Sequence, residues 1–79
     1  MTEEIVIASD EAGRQDRYLL RVFHEQDHWA SELFRLDETG RPDRSGSVAP
    51  RFYGVSRDQA RRRMIAVLEN QYDTVETAW

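Results

Sequence analysis

Residues 54–60 read Gly-Val-Ser-Arg-Asp-Gln-Ala, and this stretch decides how the second half of the chain folds. Ser56 and Gln59 form a capping box, in which the serine hydroxyl accepts from the Gln59 amide and the glutamine side chain returns to the Ser56 amide. Apolar residues then recur at helical spacing: Ala60, Met64, Val67, Leu68 and Tyr72. The pattern predicts a helix over residues 56–72, whose apolar stripe packs on a sheet.

Residues 17–37 predict a β-hairpin that supplies this sheet. The first arm alternates between two faces, with Tyr18, Leu20 and Val22 on one and Leu19, Arg21 and Phe23 on the other. The second arm places Ala30, Phe34 and Leu36 on one face and Trp29, Ser31, Leu33 and Arg35 on the other. With Gln26-Asp27-His28 as the link, we expect the faces of Tyr18 and Ala30 to meet the helix.

The other segments complete a single domain over residues 1–79. Residues 1–16 predict an N-terminal strand or arm, because an Ile-Val-Ile-Ala run is followed by turn-forming residues. Residues 38–47 predict a flexible loop, and residues 48–54 a short edge strand, since Pro50 cannot donate to a ladder. Residues 73–79 predict a C-terminal tail or a helix extension. The expected class is α+β: a small two-layer domain with a three- to four-stranded antiparallel sheet packed against one main C-terminal helix.

Composition excludes several classes of protein. A chain of 79 residues holds one core, which excludes a multi-domain enzyme. The absence of cysteine excludes thiolate zinc sites and cysteine nucleophiles. No apolar run approaches the roughly 18 residues of a membrane span, and the N-terminus lacks the pattern of a signal peptide. We expect a bacterial, cytoplasmic protein that does not bind a membrane.

The order of strands, loop and short edge strand, followed by the turn at residues 54–60, resembles the small domain of HicB-type antitoxins over residues 17–72. In that family a Gly-x-Ser/Thr-x-x-Glu-Ala turn opens the main helix after a three-stranded antiparallel sheet. Gln59 stands here in place of the glutamate. The resemblance implies the same topology and a role in neutralising a toxin protein.

A single helix leaves one face of the sheet uncovered. The predicted faces place four large apolar residues there: Leu19, Phe23, Trp29 and Leu33. Soluble monomers seldom expose such a patch, so either the N-terminal arm and Trp79 or a second subunit should cover it. The leading prediction is a protein-interaction domain that binds a protein partner or itself.

The alternative prediction is single-stranded nucleic-acid binding. Residues 41–63 carry a net charge of +5, against −6 for residues 1–40. The candidate residues combine arginines with an aromatic ring: Arg51, Phe52, Arg57 and Arg61. The whole chain carries a net charge of −4, whereas nucleic-acid-binding domains are typically basic. Ion pairs between these arginines and acids of the first block are therefore the favoured interpretation.

The sequence contains only weak patterns for a metal site or a catalytic site. His24 and His28 have the spacing of metal ligands on a helix, but they flank a predicted hairpin turn and lack a third ligand. Ser31, His24 and Asp27 are the residue types of a hydrolytic triad. The sequence has no nucleophile-elbow motif around Ser31, which argues against such a triad. We therefore expect no catalytic site, no metal and no cofactor.

Overall fold

The computed structural model describes residues 1–43 and 46–78, and within these residues the chain forms five strands and one helix. Their bounds are β1 Thr2–Ser9, β2 Gln15–Glu25, β3 His28–Arg35, β4 Phe52–Gly54, α1 Arg57–Gln71 and β5 Thr74–Ala78. The strands form one antiparallel sheet in the order β4-β3-β2-β1-β5. The helix packs on one face of this sheet, which confirms the predicted α+β class with one strand more than expected.

A two-residue turn sets the register of the β2–β3 hairpin. Glu25 pairs with His28, so the turn consists of Gln26 and Asp27. Gln26 has φ 54°, the positive value that a type II′ turn requires at its first central residue. The predicted link had one residue more. Because a slip of one residue moves every side chain of a strand to the opposite face, the predicted faces of β3 are wrong and are exchanged in the structure.

The core lies between α1 and the face of the sheet that α1 covers. Its buried apolar side chains are Val6, Ala8, Tyr18, Leu20, Val22, Leu33, Ala60, Met64 and Leu68. Ser31 is also fully buried there, and its hydroxyl donates to the Ala60 carbonyl at 2.8 Å. A Cβ at Gly54 would lie 2.7 Å from the Ala60 amide nitrogen. Glycine at this position therefore lets β4 pass directly against the first turn of the helix.

The start of α1 follows the predicted capping pattern with one difference. The Ser56 hydroxyl accepts from the Gln59 amide at 3.1 Å, which confirms the N-cap. The Gln59 side chain accepts from the amide of Val55 at 2.7 Å, one residue earlier than a standard capping box. The turn before the helix is thereby fixed as well as the first turn of the helix.

Both ends of the described chain join the sheet. β1 confirms the strand among the two options for residues 1–16. Residues 74–78 form β5 beside β1, so the expected tail or helix extension is wrong over these residues. β4 lies at the predicted sheet edge but is shorter than residues 48–54. Trp79, which belonged to one of the two options for covering the sheet, lies outside the described residues.

Candidate interaction surface

The face of the sheet turned away from α1, called the open face below, carries its side chains in rows across the strands. The register defines two apolar rows: Ala78, Ile5, Leu19 and Phe34 in the first, and Phe23, Ala30 and Tyr53 in the second. Ile5 is 37% exposed and Tyr53 is 45% exposed. Leu19, Phe23 and Phe34 are half-buried, although no described helix or strand lies over them.

A row of alternating charge separates the two apolar rows. Glu3 pairs with Arg21 across β1 and β2, and Arg21 pairs with Glu32 across β2 and β3. Arg51 directly precedes β4 and extends this row, because its guanidinium lies 2.8 Å from a Glu32 oxygen. The Arg21–Glu3 ion pair measures 3.2 Å. Across the sheet the order is acid, base, acid, base.

The two arginines of this row also cover aromatic rings. The Arg21 guanidinium carbon lies 5.2 Å from the centroid of the Phe34 ring, and that of Arg51 lies 5.3 Å from the Phe23 ring. Such cation–π contacts attract a guanidinium to the face of an aromatic ring. The hydrogen bond from Arg51 to Glu32 raises the pKa of this arginine above its ordinary value. The chain thus shields part of the open face with its own side chains.

Two of the four residues predicted for this surface lie on it. Leu19 and Phe23 are on the open face, each beside another apolar residue. Trp29 and Leu33 are not: Trp29 packs against the core, and Leu33 is 1% exposed within it. The prediction for these two is wrong because the two-residue turn exchanges the faces of β3. Phe34, which was expected beneath the helix, takes their place on the open face.

The four residues of the nucleic-acid alternative are separated in the structure. Arg51 lies on the open face, whereas Phe52 packs against the core on the covered side. Arg61 binds Glu4 through Nε at 2.6 Å and Nη2 at 3.0 Å. Arg57 donates to the Thr2 hydroxyl at 3.5 Å. No single surface therefore combines these arginines with the Phe52 ring.

The Glu4–Arg61 pair is the ion pair placed deepest at the helix–sheet junction. The Glu4 side chain is 7% exposed and that of Arg61 is 29% exposed. Arg61 also donates to the Thr77 hydroxyl at 3.1 Å, so one guanidinium joins β1, α1 and β5. The hydrogen bond to Glu4 raises the pKa of Arg61 above its ordinary value. This arrangement is the pairing with acids of the first block that the sequence favoured.

The structure separates the two histidines that the sequence singled out. His24 pairs with Trp29 and His28 pairs with Glu25, so the two histidines lie on opposite faces. Among residues 1–43 and 46–78, no group of three or more metal-ligating side chains is found. Ser31 and His24 lie on the same face of the sheet, but the Ser31 hydroxyl is buried and donates to the Ala60 carbonyl, and the Asp27 carboxylate contacts His28 at 3.2 Å.

A hydrogen-bonded cluster that the sequence analysis missed joins β2 to the end of α1. The hydroxyls of Tyr18 and Tyr72 are 2.6 Å apart, and Tyr72 donates to Asp16 at 2.7 Å. Arg35 binds the other Asp16 oxygen at 2.6 Å. Burial, together with the hydrogen bonds to Tyr18 and Asp16, raises the pKa of Tyr72 above its ordinary value. We interpret the cluster as a structural link between β2 and the end of α1, because its described polar groups form hydrogen bonds and an ion pair with one another.

Comparison with known protein families, curated proteins and solved structures gives no match to this chain. The resemblance to HicB-type antitoxins therefore stays a prediction. The helix found in residues 1–43 and 46–78 lacks the length and the apolar composition that spanning a membrane requires.

Proposed function

We propose that this chain is a non-catalytic protein-interaction domain that binds another folded protein through its open face. The observation that supports the proposal is the pair of apolar rows on a face that no described helix or strand covers. A domain of this size has little apolar surface to place outside its core. Apolar residues arranged in register on one face gain burial only when another surface covers them.

The residue types on the open face favour a protein over a nucleic acid. Protein interfaces are enriched in aromatic residues and arginine, and Phe23, Phe34, Tyr53, Arg21 and Arg51 supply both. Each of these two arginines already contacts a carboxylate of the same face. A phosphate backbone would have to displace those carboxylates and would be repelled by them, which removes the electrostatic gain of nucleic-acid binding.

Site-specific photo-cross-linking tests the proposal. A benzophenone amino acid replaces Phe34 on the open face or, as the control, Val55, which is 86% exposed before α1. We expect an identifiable protein adduct from position 34 in lysate of the source cells, unchanged by nuclease, and none from position 55. Leu19→Glu in the same chain should abolish the adduct, because the substitution places an unpaired carboxylate in the first apolar row.

Circular dichroism of the Leu19→Glu chain confirms that loss of the adduct is not loss of the fold. Equal cross-linking from the two positions would contradict the proposal. Adducts that contain nucleic acid and disappear after nuclease treatment would also contradict it, and would favour the alternative predicted from the sequence.

A further inference from the structure

We propose that the partner of the open face is a second copy of this chain, packed face to face about a twofold axis parallel to the strands. This inference rests on the proposed function and names its partner. It is carried by the sign pattern of the charged row Glu3, Arg21, Glu32 and Arg51.

The charged row is complementary to itself. Read from β1 toward β4, its signs are minus, plus, minus, plus, and read in reverse they are plus, minus, plus, minus. A twofold axis between β2 and β3 reverses the order of the strands in the second copy. It therefore places Glu3 opposite Arg51 of the second copy and Arg21 opposite Glu32 of the second copy. Every charge of the row then faces its opposite, as an isologous interface requires.

The same axis matches the apolar rows. Rotation about an axis parallel to the strands keeps each row facing the same row of the other copy. Leu19 then faces Phe34 of the second copy, and Phe23 faces Ala30 of the second copy. Ala30 is fully buried between its neighbours on the open face, so it is recessed where the larger ring approaches. Strand directions stay aligned, as in the commoner class of sheet-on-sheet packing.

Net charge and area allow this contact. Among residues 1–43 and 46–78, four carboxylates lie on the open face, those of Glu3, Glu25, Glu32 and Glu76. Three guanidinium groups lie there as well, those of Arg17, Arg21 and Arg51. Most of the net charge of −4 is therefore located elsewhere. The four strands β1 to β4 that face the second copy about this axis, spaced about 4.8 Å apart with about eight residues of about 3.3 Å each, present at most about 500 Å² per copy. This is the low end for a specific interface, so we expect a dimer with a Kd of about micromolar.

Sedimentation velocity of the purified chain, from low micromolar to near-millimolar concentration, measures the dimer directly. We expect a concentration-dependent dimer. Arg21→Glu and Glu32→Arg should each raise the Kd about tenfold or more, because each places like charges opposite one another. The double variant should recover the dimer, because the exchange restores opposite signs across the axis. Arg62→Glu, on an exposed part of α1, is the control that should leave the Kd unchanged.

Circular dichroism of each variant shows whether the variant is folded, so that loss of the dimer is interpreted only for folded protein. The double variant tests the contact between Arg21 and Glu32 of the second copy independently of either single change. A chain that stays monomeric, single variants without effect, or a double variant that fails to recover would each overturn this inference. If the chain is monomeric but still cross-links another protein from position 34, the inference that the partner is a second copy is overturned. The proposed function is then still supported. A chain that neither dimerises nor cross-links a protein from position 34 would overturn both this inference and the proposed function.

Discussion

The two faces of the sheet use adjacent residues for different purposes. Leu20 is fully buried beneath α1, and Leu19, the preceding residue of β2, is half-buried on the open face. Glu4 is buried in a bidentate pair with Arg61, whereas Glu3 forms an exposed ion pair with Arg21. Strand alternation thus places the core on one face and, as we propose, recognition on the other. Substitutions of neighbouring residues should separate the two.

The largest effect is expected at the centre of the covered face. Leu20→Ala should lower the free energy of unfolding by about 3 to 5 kcal/mol, because it leaves a cavity between β2 and α1. Leu19→Ala removes the same atoms from the open face and should cost the monomer less than about 1 kcal/mol. Urea unfolding of both variants at a concentration that keeps the chain monomeric measures the difference. Equal losses would show that the open face is part of the core.

The next effect concerns the buried ion pair. Arg61→Ala leaves the Glu4 carboxylate without its main partner, and we expect a loss of about 2 to 3 kcal/mol in chemical unfolding. Complete burial of both partners typically gives about 3 to 5 kcal/mol, and Arg61 retains some contact with water. Arg62→Ala, one residue along the same helix and 78% exposed, should change stability by less than about 0.5 kcal/mol. Similar losses for the two arginines would contradict a special role for Arg61.

A smaller effect is expected at the start of α1. Ser56→Ala removes the acceptor for the Gln59 amide and should cost about 0.5 to 2 kcal/mol in thermal unfolding. Ser56→Asp keeps an acceptor at this position and adds a negative charge near the positive end of the helix dipole, so it should retain most of the stability. An alanine variant as stable as the unmodified chain would mean that this hydrogen bond does not support the helix.

The smallest effect on stability is expected on the open face. Arg21→Ala removes an exposed ion pair and a cation–π contact with Phe34, which together are worth about 1 kcal/mol or less. The same change should weaken face-to-face association much more than it weakens the fold. Unfolding and sedimentation measurements on one preparation give both quantities. If Arg21→Ala lowers the stability of the fold as much as Arg61→Ala does, the result would contradict the conclusion that the covered face supplies most of the stability.

Local patterns in the sequence predict the parts of the fold that depend on local interactions. The Ser56 cap and the apolar spacing of Ala60, Met64 and Leu68 predict α1 within one residue at each end. The alternation of Leu19 and Leu20 predicts the two faces of β2 correctly. These features follow from the periods of helix and strand and need no information on distant contacts.

The faces of β3 depend on one residue of turn length, which the sequence between Glu25 and Trp29 does not fix. Gln26 takes a positive φ although neither glycine nor asparagine is present there to indicate a primed turn. The error placed Trp29, Leu33 and Phe34 on the wrong faces, and Trp29 and Leu33 are half of the predicted surface. β5 was missed for another reason: Thr74–Ala78 gains its structure by pairing with β1, a contact that no local pattern encodes.

The position of β1 between β2 and β5 determines the order in which the sheet can assemble. Glu25 pairs with His28, and only two residues separate them in the chain. Ser9, in contrast, pairs with Thr74, which is 65 residues away. Loop-closure entropy makes the second contact slow to form. The β2–β3 hairpin and α1 should therefore form early, and β5 should join the sheet late. On the ribosome, one edge of β1 has no partner until residues 74–78 have been synthesised.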